Sequence, residues 1–407
     1  MAKVRKRLWT NSAGQQTAWV ADYFDQTGRR HIKTFTRERE AKAWLIDAQG
    51  EVKRGTHTPE SASMTVAEAA DLWLERGELE KLEKSTMRQY RNHVDLHIRA
   101  SRIGNEKLAK LSTPKIETFR DDLLRANSRP LARKILASLK SILGEAQRRG
   151  LVAQNAAHPV RVDVKKREQG KLVVGRDIPS KDEVQVILAK AEGRWRPFFV
   201  TAVFTGMRAS ELRGLTWDDV DFERKVVSVR QRANLWCELG APKSAAGERE
   251  IPMSPMVVNV LREWRLACPK GTADLVFPNG NGHVESHANI ANRGFYALQL
   301  CTGITEPVFD DAGQPVMEPV LDEKRKPVID PDGDPVMKQA VRPKYGMHAL
   351  RHFFASWAID RGFTAKRVQA LLGHSSIQMT FDVYGHLFPS LEDDHAKFAA
   401  GELAVVG

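Results

Sequence analysis

The stretch that decides the reading is LLGHSSIQMTFDVYGH, residues 371–386. Leu371 and Leu372 end an apolar helical pattern, and Gly373 is a natural stop, because glycine enters the left-handed region that closes helices. His374 is thereby presented at a helix end. Ser376 is placed to cap a following helix, on which Tyr384 lies about two turns in. Tyrosine is scarce, with 5 in 407 residues. Tyr384 is therefore either a packed ring or a hydroxyl with a chemical task.

Three further stretches bear on the choice. In FTGMRASELRGLTWDDVD (204–221), Arg208 and Glu211 are three apart and share a helix face. Thr205-Gly206 stands where such a helix would begin, and backbone N–H groups at a helix start favour an anion. An arginine in that turn can grip a phosphate with its planar fork while the glutamate holds the guanidinium. In MHALRHFFASWAIDRG (347–362), His348 and Arg351 have the same spacing. In APKSAAGEREIPM (241–253), Lys243 precedes a small-residue loop between two expected strands, KVVSVRQ and EREIPM, from which a lysine can reach a leaving oxygen. Taken singly, these are a surface ion pair, a short common motif and a hairpin lysine. Their order, Arg…Lys…His-x-x-Arg…His…Tyr, is far more specific than any part.

The charge points to a polyanion. The formal net charge is +12 and the sequence pI about 9.6. Residues 1–170 carry 34 Lys and Arg against 21 Asp and Glu; residues 171–407 carry 29 against 30. Positive charge concentrated in the first two-fifths suits nucleic acid. Hydrophobic residues are 42% and charged residues 28%, ordinary for a globular protein. There is no apolar run of about 18 residues to cross a membrane, and MAKVRKRLW is basic without the apolar stretch of a signal peptide. Cys237, Cys268 and Cys301 are odd in number and far apart, which fits a reducing, cytoplasmic compartment and neither a disulfide framework nor a zinc site.

The chain divides into three segments and a tail. Residues 1–57 read as a small sheet (TAWVADYF, a DQTG turn, RRHIKTFT) followed by a helix with Ala41, Trp44, Leu45 and Ala48 on one face. THTPESAS (56–63) is a linker. Residues 64–168 read as about four helices, with a Thr65–Glu68 capping box, Ser85 or Thr86 as a cap, Thr113 as N-cap before Pro114, and ARKILASLKSILGEAQRRG ending at Gly150. Arg88, Arg91, Arg133, Lys134 and Lys140 are available there to phosphates. VKKREQGK (164–171) is a charged linker. Residues 172–390 mix helix and sheet, with a Ser180–Glu183 capping box and helices around 255–267, 286–300, 348–360 and 364–372. Within them, in an insertion at about 303–342, residues 306–337 hold a near-repeat of twelve residues: EPVFDDAGQPVM, EPVLDEKRKPVI and a shortened DPDGDPVM. It is acidic, and it reads either as an insertion of consecutive short hairpins or as a disordered Pro-rich loop. Residues 391–407 form a tail in which HAKFAAGELAVV can make a short helix with an apolar face.

On Arg208 with Glu211, Lys243, His348 with Arg351, LLGH with His374, and Tyr384, the chain resembles the tyrosine recombinase (phage integrase) family over roughly residues 64–390. The repeat insertion departs from the family pattern but leaves every motif residue in place. The resemblance implies a multidomain α+β fold: a small arm-type DNA-binding domain at 1–57, an all-α core-binding domain at 64–168, and a mixed, mainly α catalytic domain at 172–390. It implies that Tyr384 attacks a DNA phosphate to give a 3′-phosphotyrosine and a free 5′-hydroxyl. Arg208 and Arg351 would neutralise the transition state, Lys243 would protonate the leaving oxygen, His348 would assist the tyrosine's proton transfer, His374 would bind the phosphate, and Glu211 would orient Arg208. Two guanidiniums supply the charge, so no metal or cofactor is expected. The implied partners are double-stranded DNA at attachment sites, three further copies of the chain in a homo-tetramer on DNA, and an excision factor or DNA-bending host protein, with no membrane. The tail would dock on a neighbouring protomer. The competing readings are a type IB topoisomerase, which shares the tyrosine chemistry without exchanging strands, and a non-catalytic DNA-binding regulator. Tyr345 is the one other tyrosine near the motif.

Overall fold

The computed structural model describes residues 3–11, 14–25, 28–53, 63–163, 171–322, 326–388 and 402. Both linker readings lie largely outside these residues, and the tail reading lies almost wholly outside them. The chain forms two units, 1–168 and 169–407. Among the described residues, no helix is long and apolar enough to cross a membrane.

The first unit has two separate hydrophobic cores. In the smaller, strands β1 (Lys3–Asn11), β2 (Gly14–Phe24) and β3 (Arg30–Phe35) make an antiparallel sheet with β2 in the centre. Helix α1 (Glu38–Lys53) buries Ala41, Leu45 and Ala48 at i, i+4 and i+7, the spacing of a single face. The basic residues of β1, Lys3, Arg5, Lys6 and Arg7, are all exposed.

The larger core belongs to α2 (Val66–Leu79), α3 (Lys84–His93), α4 (Thr113–Ala126) and α5 (Arg129–Arg148). Helix α5 runs Ile135, Leu139, Ile142 and Leu143 along one fully buried stripe. The Thr65–Glu68 capping box forms as expected. Two caps differ. The cap residue of α3 is Glu83, not Ser85 or Thr86, which fall within its first turn. Ser112, not Thr113, precedes α4, so that Thr113 and Pro114 both lie within the helix start. Proline tolerates either early position, because its missing N–H is unneeded there. Of the basic side chains available to phosphates, Arg88, Arg133 and Lys134 are exposed, while Arg91 is ion-paired to Glu78 and Lys140 donates to the His158 carbonyl.

The second unit begins with α6 (Lys181–Lys190), closed by the Ser180–Glu183 capping box. Helix α7 (Trp195–Thr205) buries most of its length in the core, with Arg196 exposed near its start; α8 (Ala209–Gly214) follows. A sheet of β4 (Val220–Asp221), β5 (Val226–Val229) and β8 (Arg249–Pro252) packs beside them, and a short ribbon of β6 (Arg232–Ala233) and β7 (Leu239–Gly240) leads into the Lys243 loop. Then come α9 (Pro255–Ala267), α10 (His287–Asn289), a π-helical turn, and α11 (Tyr296–Cys301). Beyond the insertion lie α12 (Ala349–Asp360), α13 (Ala365–Leu372) and α14 (Ile377–Tyr384).

Over its described residues, the insertion forms paired strands and is more than a row of hairpins. Its base is β9 (Thr305–Pro307) paired with β12 (Val341–Pro343), and β10 (Met317–Pro319) pairs with β11 (Met337–Gln339). Each unit turns at an aspartate, Asp310, Asp322 or Asp330, whose N–H donates to the carbonyl four residues on. The carboxylate of that aspartate accepts backbone N–H groups of the turn, which is why an acidic residue recurs there. Two closed rings of backbone hydrogen bonds tie the insertion together. One links Val308, Ala340 and Val316; the other links Val320, Val336 and Val328.

Glycine is required at Gly206, where α7 ends. Its φ is +62°, and a Cβ there would stand 2.3 Å from the Phe354 ring. Gly206→Ala is expected to destabilise the protein by about 2–4 kcal/mol, combining left-handed strain with overpacking. Urea unfolding measures it, and an unchanged midpoint would show that the backbone re-forms around the methyl.

Candidate active site

The ends of two helices build the site. Gly206 closes α7 and Gly373 closes α13, both in the left-handed conformation. A helix leaves its last carbonyls without an internal partner and carries partial negative charge at that end. Here those carbonyls accept from arginines. Arg351 donates to the Gly206 carbonyl at 2.8 Å and to the Leu372 carbonyl. Arg249 donates to the Leu371 carbonyl at 2.7 Å. Arg208 donates to the Gly373 carbonyl at 3.4 Å.

The position of Arg208 differs from the sequence reading. Thr205-Gly206 ends α7 and does not start a helix; Arg208 is the residue before α8, with its backbone N–H bonded to Glu211. The Arg208–Glu211 pair itself forms, at 2.6 Å. Glu211 is buried and shared: its other oxygen accepts from Arg249 at 2.8 Å. Burial pushes Glu211 up, but the hydrogen bond and charge of Arg249, with Arg208 beside it, outweigh burial and hold the carboxylate below its ordinary range. Removing one partner of a buried pair costs about 3–5 kcal/mol, far above the surface value, so this glutamate binds α8 to β8.

Arg351 is 2% exposed. Burial, then the charge of Arg208, pushes its guanidinium below the usual arginine range. His348 stands at the residue before α12 and is exposed, yet desolvation, then the charges of Arg351 and Arg208, push its imidazole down. His374 follows Gly373, with Nδ1 3.0 Å from Thr380 Oγ1, and its ring lies parallel to that of Tyr384 at 6.4 Å. Burial first, and then Arg351, push His374 down to about 4.

Tyr384 ends α14, which Ser376 caps as expected. It is 1% exposed, and burial pushes its hydroxyl up to about 12 against the pull of Arg351. The hydroxyl is 2.7 Å from Nδ1 of His352. Tyr345 stands elsewhere: its hydroxyl donates to Glu183 at 2.8 Å, at the start of α6.

The structure thus brings together Arg208, Glu211, His348, Arg351, His374 and Tyr384. Lys243 stays apart. It is exposed and, among the described residues, has no hydrogen bond or ion pair. Its loop nonetheless packs beside the site, because a Cβ on Gly373 would lie 2.7 Å from the Ala246 carbonyl. Two site residues escaped the sequence reading. Arg249 shares the inward face of β8 with buried Ile251, two residues on, and a charge at an inward strand position signals a buried partner. His352 is four residues after His348, on the same helix face.

The phage integrase family model matches residues 180–311 and 321–390. The tyrosine recombinase XerC-like protein of Caldanaerobacter subterraneus subsp. tengcongensis is 23% identical over 382 residues, covering 90% of each chain. The prophage integrase IntR of Escherichia coli K12 is 23% identical over 358 residues, covering 84% of this chain and 80% of its own. Among solved structures, the Tn1549 transposon integrase in complex with transposon right end DNA matches with a TM-score of 0.62 at 19% identity, covering 84% of this chain and all of that one. A lambda integrase dimer bound to a COC′ core site matches at 0.55 and 18%, covering 92% and 93%. With the fold and the sequence in agreement, the chain belongs to the phage integrase family, the tyrosine recombinases.

Proposed function

We propose that this chain is a site-specific DNA recombinase that cuts and rejoins strands through a covalent 3′-phosphotyrosine at Tyr384, integrating or excising a mobile element. The observation that carries the reading is that residues from four separate stretches, 208–211, 348–351, 374 and 384, come together in one site, with Arg351 and His374 beside a buried tyrosine. A covalent nucleophile keeps the phosphoester bond, so strands are rejoined without external energy. Arg208 and Arg351 carry the charge that a pentacovalent phosphate needs, and they are held before substrate arrives, so little reorganisation is left for the reaction. His374 and His348 supply further hydrogen bonds to phosphate oxygens and proton transfer. Lys243, exposed on a loop packed against Gly373, serves as general acid for the leaving 5′-oxygen. Residues 64–168 bind the core site and residues 1–57 bind separate arm sites.

The working assembly is a homo-tetramer on DNA; lambda integrase, 17% identical with a TM-score of 0.54, has been solved as a tetramer bound to a Holliday junction. An excision factor or a DNA-bending host protein would set the direction of the reaction. The tail at 391–407 docks on a neighbouring protomer.

Covalent trapping tests the chemistry. Wild type, Tyr384→Phe and Arg208→Ala are incubated in EDTA with a pool of nicked, random-sequence half-sites, and adducts are isolated and sequenced. Wild type should form an adduct and Tyr384→Phe none, while both retain DNA binding. Arg208→Ala should be slower by about 10²–10³, the usual cost of losing one transition-state donor. An adduct with Tyr384→Phe would move the nucleophile elsewhere.

Salt dependence tests the N-terminal reading. Lys3, Arg5, Lys6 and Arg7 are all exposed on one edge strand. If these four meet phosphates, deleting residues 1–57 should lower the slope of log affinity against log salt on arm DNA by about 3–4, near 0.9 per contact. An unchanged slope would remove that segment from the DNA interface.

A further inference from the structure

We propose that His352 is the catalytic base that takes the proton from Tyr384, a role that the family resemblance gives to His348. The inference rests on the recombinase reading above and deepens it. Its ground is geometric. His352 Nδ1 is 2.7 Å from the Tyr384 hydroxyl oxygen, within the reach required of a base. His348 makes no hydrogen bond to Tyr384 among the described residues; its ring meets that of His352 edge to face, with centroids 4.7 Å apart. The two histidines lie one helical turn apart, His348 at the residue before α12 and His352 within it, and His352 is the one turned to α14.

The surroundings suit the role. Tyr384 is protonated at neutral pH, because burial raises it, so it needs an acceptor to attack. His352 is neutral there. Burial first, then the charges of His348 and Arg351, push it down to about 4, with Asp177 alone pulling the other way. Among the described residues, the charged and titratable groups facing it are His348 just before α12, Arg351 on α12, Asp177 in the turn before α6, and the Tyr384 hydroxyl on α14. With Nδ1 accepting from the hydroxyl, the ring's remaining proton is on Nε2.

The step balances. The Tyr384 oxygen forms a bond to phosphorus as its proton passes to His352 Nδ1. The bond from phosphorus to the 5′-oxygen breaks, and that oxygen takes a proton from Lys243. Rejoining reverses each transfer: the 5′-hydroxyl gives its proton to Lys243, and His352 returns its own to the departing tyrosine. Transfer to so weak a base is concerted with bond formation, since the ester oxygen cannot hold a proton.

The test separates the two sides of the reaction. Single-turnover adduct formation is measured on the core site recovered by trapping, made with the normal 5′-oxygen and with a 5′-bridging sulfur that departs without a proton. On the oxygen substrate, His352→Ala and Lys243→Ala should each be slower by about 10²-fold or more, the usual contribution of a general acid or base. The sulfur should restore Lys243→Ala and leave His352→Ala slow. His352→Asn keeps an acceptor close to the hydroxyl but cannot carry its proton, and it should be as slow as alanine; if alanine disturbs folding, seen as lost core-site binding, the asparagine variant decides. Recovery of His352→Ala on sulfur would place His352 at the leaving group and overturn the proposal. So would recovery by asparagine, which would make it a positioning residue, or a wild-type rate in His352→Ala with an unrescued loss in His348→Ala. No adduct from wild type on either substrate would instead overturn the recombinase reading beneath it.

Discussion

The site depends on carbonyls that two helices cannot satisfy themselves. Gly206, Leu371, Leu372 and Gly373 present oxygens at the ends of α7 and α13, and three arginines donate to them. A guanidinium as buried as Arg351 would otherwise be costly, because desolvation of an isolated charge exceeds what one hydrogen bond returns. Here the helix ends bring both the acceptors and partial negative charge. The same contacts fix the arginines' orientation before DNA arrives. Glu211 completes the arrangement by lying between Arg208 and Arg249. Three guanidiniums and one carboxylate leave two positive charges, which is what a phosphodiester gaining a second negative charge in its transition state requires.

This design explains why both glycines are fixed. A left-handed residue is needed to turn the chain off each helix so that its last carbonyls face the arginines. At Gly206 a side chain would strike Phe354, and at Gly373 the Ala246 carbonyl. The helix ends, the loop that carries Lys243, and the turn that carries His374 therefore meet at two points where only glycine fits. The backbone, more than any one side chain, sets the spacing of the catalytic groups.

Much of this was legible in the sequence, and the reasons are local. The i,i+3 pairs Arg208–Glu211 and His348–Arg351, the Gly373 stop, the Ser376 cap and the two capping boxes are all written within a single helix turn. What was not legible depended on pairing across the chain. Arg249 joins the site through Glu211, 38 residues earlier, and through the Leu371 carbonyl, 122 residues later. Helical spacing put His352 within view, but the identity of its partner lies 32 residues away. Thr205-Gly206 was read as a helix start because Thr-Gly serves at either end of a helix; the left-handed φ of Gly206 settles it as an end.

The insertion shows how such a site tolerates a large addition next to it. Its order comes from the backbone: two closed rings of three hydrogen bonds and three aspartate turns, with little apolar burial of its own, so Phe309, Leu321 and Ile329 remain exposed. It returns to the core through β12, and the chain is clamped at once. The Tyr345 N–H and carbonyl both bond the Gln299 side chain, at 2.7 and 2.9 Å, and Lys344 and the Tyr345 hydroxyl both reach Glu183 at 2.8 Å. These four contacts fall just before His348. They pin the entry to α12 to helices α11 and α6. Tyr345, the other tyrosine beside the motif, is thus tied to α6 and α11, apart from the tyrosine that the proposed chemistry uses.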